Sequence, residues 1–366
     1  MSDPEIATKA PESDAMEDQT TSQPPTTQPT ATTSETTTQP SAVSSTDSTA
    51  QSGPTMGAHC TSDRPAPINT PSSGEITKLA NIDTYISKPA DYPSTPAKLA
   101  LLLTGGTGIH SINNQLQADR YAAAGYLVVM PDQFDGDPAP NSTNRVTSPT
   151  TATTFAEAAD VEAQTPASSS LLDRIKLGFA DTAKSFVLDM WLARQTPEKV
   201  LPRLLKVLAA AREEYADAVA HGGGIYAIGY CFGARYVMIL ASEDPAAHPA
   251  IAPPAAAGTA TGIASAFPSP LIKVGAVAHG TLVTREDVRG VEVPMCVVAV
   301  ENDSLFPEEV LEAGRKAWAA SAVECRVEVF GGVPHGFAVL GEYEDAGIME
   351  SQERAFEMMR GWLDEH

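Results

Sequence analysis

The chain has 366 residues, 42% of them hydrophobic, which is enough to bury a core of domain size. Its 24 lysines and arginines against 46 aspartates and glutamates give a formal net charge of −22, which disfavours binding to nucleic acids or anionic membranes. No apolar run approaches the ~20 residues that span a bilayer, and the opening MSDPEIATKAPESDAMED resembles no secretory signal. We therefore expect a cytoplasmic protein with neither a nucleic-acid nor a membrane partner.

The first part of the chain, residues 1–56, is a Thr/Ser/Pro/Gln tract with almost no large apolar side chains. Such a segment cannot bury enough surface to offset chain entropy, so we predict a disordered tail. A plain linker is favoured over a phosphorylated or O-glycosylated tail. Met56 stands where the composition changes, and we hypothesise that it is the natural start. A linker is expected over 57–73, followed by a single domain over 74–366.

From residue 74 onward, short apolar runs alternate with amphipathic segments. The predicted strands are two within 75–87 and one each at 98–104, 126–130, 225–230, 273–280, 294–303 and 325–332. The predicted helices lie at 111–125, 186–194, 196 to about 220, 231–242, 307–321 and 345–365. A long excursion over 138–170, a short helix at 171–179 and an Ala/Pro loop at 245–268 complete the chain. This alternation predicts an α/β fold, a mostly parallel central sheet flanked by helices on both faces.

The stretch Gly229-Tyr230-Cys231-Phe232-Gly233 lies between a predicted strand and a predicted helix. A cysteine there stands on a sharp turn over the carboxyl edge of the sheet, and flanking glycines allow close packing of the backbone. The helix N-terminus favours negative charge, which suits a thiolate. The competing interpretation is a buried structural cysteine, the usual fate of a free thiol.

Two later strand ends carry the groups that a thiol nucleophile needs. Asp303 closes the strand over 294–303, and His335 follows the strand over 325–332. The chain order of nucleophile, acid and histidine is that of the α/β-hydrolase arrangement, in which a carboxylate orients the imidazole that deprotonates the nucleophile. Glu301 is an alternative acid. His279 is expected to line the pocket and is a weaker candidate base, because it precedes the acid in the chain.

Four segments together resemble the dienelactone hydrolase family, in the branch common in fungi. They are GYCFGAR, NNQLQADRYAAAGYLVVMPDQFDGDP, AVENDSLFP and GGVPHGFA, and the resemblance extends over about 75–366. It implies the α/β-hydrolase fold, with Cys231 as nucleophile, Asp303 as orienting acid and His335 as base.

By the same resemblance, the oxyanion is stabilised by the backbone N–H groups of Phe232 and Gly106, with Thr107 as the neighbouring alternative to Gly106. Bacterial members of the family carry a glutamate at the end of the early strand, where it holds and helps to activate the thiol. Here the equivalent residues 104–106 read Thr-Gly-Gly, so the thiol must be activated in another way.

Other polar residues have simpler interpretations. Bacterial members bind a substrate carboxylate with arginines, and Arg174, Arg194 and Arg203 are the candidates here, although a solvated helix face is favoured for each. Asp132 and Asp137 are expected to be turn and cap residues rather than catalytic ones.

The cysteines are too few and too scattered for a disulfide framework, and no CxxC or HExxH pattern is present. Cys296 lies in mid-strand and is expected to be an inert core thiol. We expect no cofactor and no metal.

These observations predict a carboxylic ester hydrolase of the dienelactone hydrolase (carboxymethylenebutenolidase) type. It would cleave a small ester or lactone through a Cys-His-Asp triad and an acyl thioester, as a monomer or homodimer. The alternatives are an acyltransferase or thioesterase on the same fold, or a non-catalytic binding module.

Overall fold

The computed structural model of the chain describes residues 61–67, 70–140, 187–243, 245 and 269–366. All of them belong to one unit, Ser52–His366. The tail expected over 1–56, the short helix over 171–179 and, apart from residue 245, the loop over 245–268 lie outside these residues.

The secondary structure follows the predicted alternation. The strands are β1 (Glu75–Leu79), β2 (Ile82–Ser87), β3 (Lys98–Leu103), β4 (Tyr126–Pro131), β5 (Tyr226–Tyr230), β6 (Val274–Ala278), β7 (Met295–Val300) and β8 (Cys325–Phe330). The helices are α1 (Ile112–Ala123), α2 (187–194), α3 (Pro197–Glu214), α4 (Ala216–Gly222), α5 (Phe232–Leu240), α6 (Arg285–Arg289), α7 (Glu308–Ser321) and α8 (Ala346–Glu365). None of these described helices is both long and apolar enough to cross a membrane.

All eight strands belong to one sheet, in the order β1-β2-β4-β3-β5-β6-β7-β8. The pairs β1–β2 and β2–β4 are antiparallel. The remaining five pairs are parallel. The mostly parallel sheet predicted from the alternation is therefore confirmed, and the carboxyl ends of β3, β5, β6, β7 and β8 meet at one edge.

Two hydrophobic clusters cover the two faces of the sheet, which explains the continuous apolar runs. Leu99, Leu101 and Leu103 of β3 pack in a cluster with α2, α3, α5, α6 and α7. The intervening Ala100 and Leu102 pack in a second cluster with α1 and α8. Because successive side chains of a strand point to opposite faces, both sets must be apolar.

The helix expected from residue 196 to about 220 is two helices, α3 and α4. Tyr215 separates them, with φ −116° and ψ 42°, outside the helical region. Its ring is buried in the core at 6% exposure, and this tertiary contact overrides local helix propensity. Thr196 is the N-cap residue of α3 as expected, but its hydroxyl makes no capping hydrogen bond.

Helix α6 was not predicted, because five residues are too short for a periodic pattern. It begins with a capping box in which Asp287 N–H donates to the Thr284 hydroxyl and Thr284 N–H donates to the Asp287 carboxylate. The same carboxylate accepts from Nε of Arg235 on α5 at 2.9 Å, with the Asp287 side chain fully buried. This contact holds α6 against the helix that follows the turn at Cys231.

The segment expected as a linker over 57–73 differs from that prediction, because residues 61–67, here called the N-terminal strap, dock on the domain. Asp63 accepts hydrogen bonds from the Ser111 hydroxyl and the Ile112 N–H at the start of α1. Arg64 donates to the carbonyl oxygens of Gly336 and Val339 at 3.1 and 2.9 Å. The strap contains no strand or helix, so no periodic pattern announces it.

We predict that Gly233→Ala lowers the free energy of unfolding by at least ~3 kcal/mol. A Cβ at this position would lie 2.3 Å from the carbonyl oxygen of Leu103 on β3, a clash with backbone that a change of side-chain rotamer does not relieve. The measurement is urea denaturation.

The matched control is Gly361→Ala in α8, where an added Cβ meets nothing within 4 Å. This change is expected to raise stability by about 0.5–1 kcal/mol, because alanine is the better helix former. An unfolding midpoint for Gly233→Ala equal to that of the unchanged protein would contradict the packing argument.

Candidate active site

Cys231 is the single residue between β5 and α5, and it has φ 52° and ψ −115°. The positive φ is the strained geometry of a nucleophile elbow. An added Cβ at Gly229 would lie 2.7 Å from the Cα of Ala234, and at Gly233 it would meet Leu103. Both flanking glycines are therefore required for α5 to approach β3 and β5. The side chain of Cys231 is 2% exposed, at the carboxyl edge of the sheet.

Asp303 and His335 lie after β7 and β8, as predicted, and they form an ion pair. Nδ1 of His335 donates to Oδ2 of Asp303 at 2.7 Å. The turn after β7 passes through Asn302 at φ 57°, and the Asp303 side chain is only 3% exposed. Glu301, the alternative acid, is exposed. The structure therefore brings together Asp303 and His335, rather than Glu301 and His335.

The Thr281 hydroxyl lies between the thiol of Cys231 and the imidazole of His335. This contact was not predicted from the sequence. Thr281 places its Oγ1 3.2 Å from Sγ of Cys231 and 3.1 Å from Nε2 of His335. Its backbone N–H donates to the Cys231 carbonyl at 3.0 Å, and its side chain is buried. Its place just after β6, where side chains meet at the carboxyl edge, is the signal that could have identified it.

The pKa of the His335 imidazole reflects its burial and its two acidic neighbours, Cys231 and Asp303. Burial disfavours the imidazolium, but the negative charge of Cys231 and the hydrogen bond to Asp303 outweigh it and raise the pKa of His335 to about 9. The site thus favours the protonated form of the His335 imidazole.

A small cavity of about 20 Å³ lies beside the thiol. Residues 62–64 of the N-terminal strap form one wall, and Asn113 and Asn114 of α1 form another. His279 lines the cavity as predicted, and its ring centroid lies 5.1 Å from that of His335. Burial lowers the pKa of His279 well below its usual value, so this second imidazole is neutral.

The glycine-rich turn after β3 lies against Cys231. A Cβ at Gly105 would be 3.2 Å from the Cβ of Cys231, and Gly105 and Thr107 both line the cavity. Gly106 lies between them, with its carbonyl accepting from the N–H of Ala139. Phe232 is the first residue of α5, so its N–H has no acceptor within that helix.

The other candidate residues lie away from the thiol or are inert. Arg174 lies outside the described residues. Arg194 pairs with Asp137 on the surface, and Arg203 donates to the Gln133 carbonyl at 2.8 Å. Neither Arg194 nor Arg203 lines the cavity, whereas Arg64 of the strap does.

The expected turn and core residues behave as predicted. The carboxylate of Asp132 accepts from the N–H groups of Phe134 and Gly136 at 3.0 and 2.6 Å, as a turn residue does. Cys296 is fully buried, and burial raises the pKa of its thiol to about 12. Such a thiol is unreactive at neutral pH.

The sheet order and the turn at Cys231 define an α/β-hydrolase fold. A family model of the dienelactone hydrolase family matches residues 82–253 and 256–366. The chain therefore belongs to the dienelactone hydrolase family and is a hydrolase.

Individual relatives agree with this assignment. The chain is 26% identical to Hydrolase pyvD of Aspergillus violaceofuscus over 80% of its length and 90% of that protein. It is 27% identical to Dienlactone hydrolase 1 of Gibberella moniliformis over 80% of its length and 87% of that protein. A solved structure from Klebsiella pneumoniae, described as a candidate dienelactone hydrolase, has the same fold. It matches with a TM-score of 0.52 at 16% identity and covers 80% of this chain and 99% of its own.

We predict that Asp303→Asn lowers the pKa of His335 from about 9 by about 1 to 3, because the change removes an adjacent negative charge. The imidazolium then dissociates at lower pH. The measurement is NMR titration of the Cε1–H resonance of His335.

The matched control is Glu301→Gln, which removes the neighbouring, exposed carboxylate. This variant is expected to titrate like the unchanged protein. Identical curves for Asp303→Asn and the unchanged protein would contradict the role of Asp303 as the orienting carboxylate.

Proposed function

We propose that the protein hydrolyses a small ester or lactone through an acyl thioester on Cys231, with His335 as base and Asp303 as the orienting acid. The observation that carries the proposal is the series of hydrogen bonds that runs from the Asp303 carboxylate through the His335 imidazole and the Thr281 hydroxyl to the thiol of Cys231. Four strand ends supply these groups at one buried edge of the sheet. A structural cysteine does not need such partners.

In the proposed first half-reaction, Nε2 of His335 takes the thiol proton and the sulfur electron pair forms a bond to the substrate carbonyl carbon. The carbonyl π electrons move to oxygen, giving a tetrahedral oxyanion. When the intermediate collapses, the carbon–oxygen bond to the leaving group breaks. The departing oxygen takes the proton from Nε2, and the acyl group stays on the sulfur.

In the second half-reaction, His335 removes a proton from water as the water oxygen attacks the thioester. The carbon–sulfur bond breaks, the carboxylic acid leaves, and the sulfur regains its proton. Asp303 stabilises the imidazolium in both halves without itself becoming protonated. A raised pKa of His335 supports this cycle, because the imidazole holds its proton long enough to deliver it.

Both tetrahedral intermediates carry a negative oxygen that needs donors. We assign the backbone N–H groups of Phe232 and Gly106, with Thr107 as the neighbouring alternative to Gly106. A donor of this kind commonly contributes ~3–4 kcal/mol to transition-state stabilisation. The contact between the glycine-rich turn and Cys231 supports the assignment, as does the position of Phe232 at the start of α5.

A cytoplasmic location is part of the proposal. Among the described residues, Cys296 and Cys325 are free thiols. A nucleophilic thiol has to remain reduced, which a reducing compartment ensures.

We predict that Cys231→Ala lowers kcat/KM for 4-nitrophenyl acetate and for a dienelactone at least ~10³-fold with the fold intact. The control Cys325→Ala, a change at the start of β8, is expected to stay within about twofold of the unchanged protein. Circular dichroism checks the fold, and mass spectrometry of acid-quenched turnover mixtures locates the acyl adduct.

Undiminished hydrolysis by Cys231→Ala would overturn the assignment of the nucleophile. Turnover of neither ester by the unchanged protein would favour a binding module. Acyl-CoA formation when CoA is added would identify an acyltransferase instead.

We also predict that Thr281→Val lowers kcat about tenfold to a hundredfold with little change in KM, because the thiol and imidazole lose a shared positioning contact. Thr281→Ser restores the hydroxyl and is expected to recover most of the rate. A structural role for the side chain alone would give the opposite order, since valine matches the shape of threonine better than serine does.

A further inference from the structure

His279 is a buried imidazole with no assigned partner. It is fully buried at the end of β6, and neither ring nitrogen reaches a hydrogen-bonding group of any other described residue. Its ring instead packs beside those of Tyr230, His335 and Phe337. An unsatisfied buried polar group of this kind costs about 1–3 kcal/mol, so its retention needs an explanation.

A second unsatisfied group lies on the wall of the same cavity. Asn113 of α1 donates from Nδ2 to the Leu340 carbonyl at 2.5 Å, which fixes the orientation of its amide. Its Oδ1 is buried and has no partner among the described residues. Asn113 and His279 both line the cavity beside Cys231.

The hydrogen-bonding capacity of the pair defines what it could bind. A neutral imidazole offers one N–H donor and one nitrogen acceptor, and the Asn113 oxygen offers an acceptor. A hydroxyl group complements this set, because it donates one hydrogen bond and accepts others. A carboxylate does not, because it only accepts and would face the Asn113 oxygen.

The burial of these polar atoms strengthens the discrimination between ligands. Residues 62–64 of the N-terminal strap form the outer wall of the cavity, and the strap is held by hydrogen bonds to α1 and to the residues after His335. A ligand that lacks the matching group leaves the buried donor and acceptor of the protein unpaired.

We propose that His279 and Asn113 form a subsite for a hydroxyl group on the acyl part of the substrate, the part that becomes bonded to Cys231. The protein therefore selects esters or lactones of hydroxy acids over their deoxy analogues. This inference rests on the proposed function, since it concerns the same cavity. It assigns the substrate a chemical class that the reaction mechanism alone does not specify.

The test compares the methyl esters of 2-, 3- and 4-hydroxybutanoate with methyl butanoate, with acid release followed by pH-stat. We expect the unchanged protein to favour at least one hydroxybutanoate ester by tenfold or more in kcat/KM.

His279→Phe and Asn113→Leu are expected to reduce that preference to about threefold or less. His279→Gln retains a donor and an acceptor and is expected to keep part of it. His221→Gln, a change at an exposed histidine of α4, is the matched control and keeps all of it.

A binding measurement separates this inference from the proposed function. In Cys231→Ala, which cannot turn over, the favoured hydroxybutanoate is expected to raise the melting temperature more than butanoate does. His279→Phe in that background is expected to abolish the difference. If the protein hydrolyses none of these esters but the binding difference is present, the proposed function fails and the subsite stands.

Two results would overturn the subsite. One is equal hydrolysis of all four esters by the unchanged protein together with equal shifts in melting temperature. The other is a loss in His279→Phe that is the same for hydroxylated and deoxy esters, which would assign His279 a role in supporting His335 instead.

Discussion

The backbone turn at Cys231 is the constraint on which the site depends, because one residue must reverse the chain from β5 into α5. Its positive φ is a strained conformation for a residue with a side chain and commonly costs about 1–3 kcal/mol. Three hydrogen bonds oppose that strain. Cys231 N–H donates to Ala278, Thr281 N–H donates to Cys231, and Gly233 N–H donates to Thr104, all at 3.0–3.1 Å. The position of the sulfur is therefore set by the neighbouring strands as well as by its own turn.

The same hydrogen bonds explain why the groups around the sulfur come from distant parts of the chain. The bond from Thr281 to the Cys231 backbone holds the end of β6 against the elbow, and the Thr281 hydroxyl then lies between sulfur and imidazole. Bacterial members of the family are expected to hold the thiol with a glutamate after the early strand. This chain has Thr104 there, with its hydroxyl buried and unpartnered among the described residues. The polar contact to the thiol comes from β6 instead.

Burial gives this small set of polar groups its electrostatic effect. Asp303 and His335 are almost enclosed, with side-chain exposures of 3% and 12%, so their interaction is screened much less than a surface ion pair would be. His279, a few ångströms away, has no carboxylate partner and is held neutral by burial. Two neighbouring imidazoles thus differ in charge because one has an anionic partner and the other does not.

The sequence by itself determined the elements that depend on local pattern: the apolar strands, most of the helices, the glycine-flanked cysteine, and the chain order of Cys231, Asp303 and His335. These follow from side-chain periodicity and from the meeting of parallel strand ends at one edge. Tertiary structure alone decided that Asp303 and not Glu301 contacts His335, because two residues at the same strand end differ only in how the turn directs them. It also decided the break at Tyr215, the contact of Thr281 with the thiol and the docking of residues 61–67. Each of these depends on contacts between residues far apart in the chain, which no local pattern encodes.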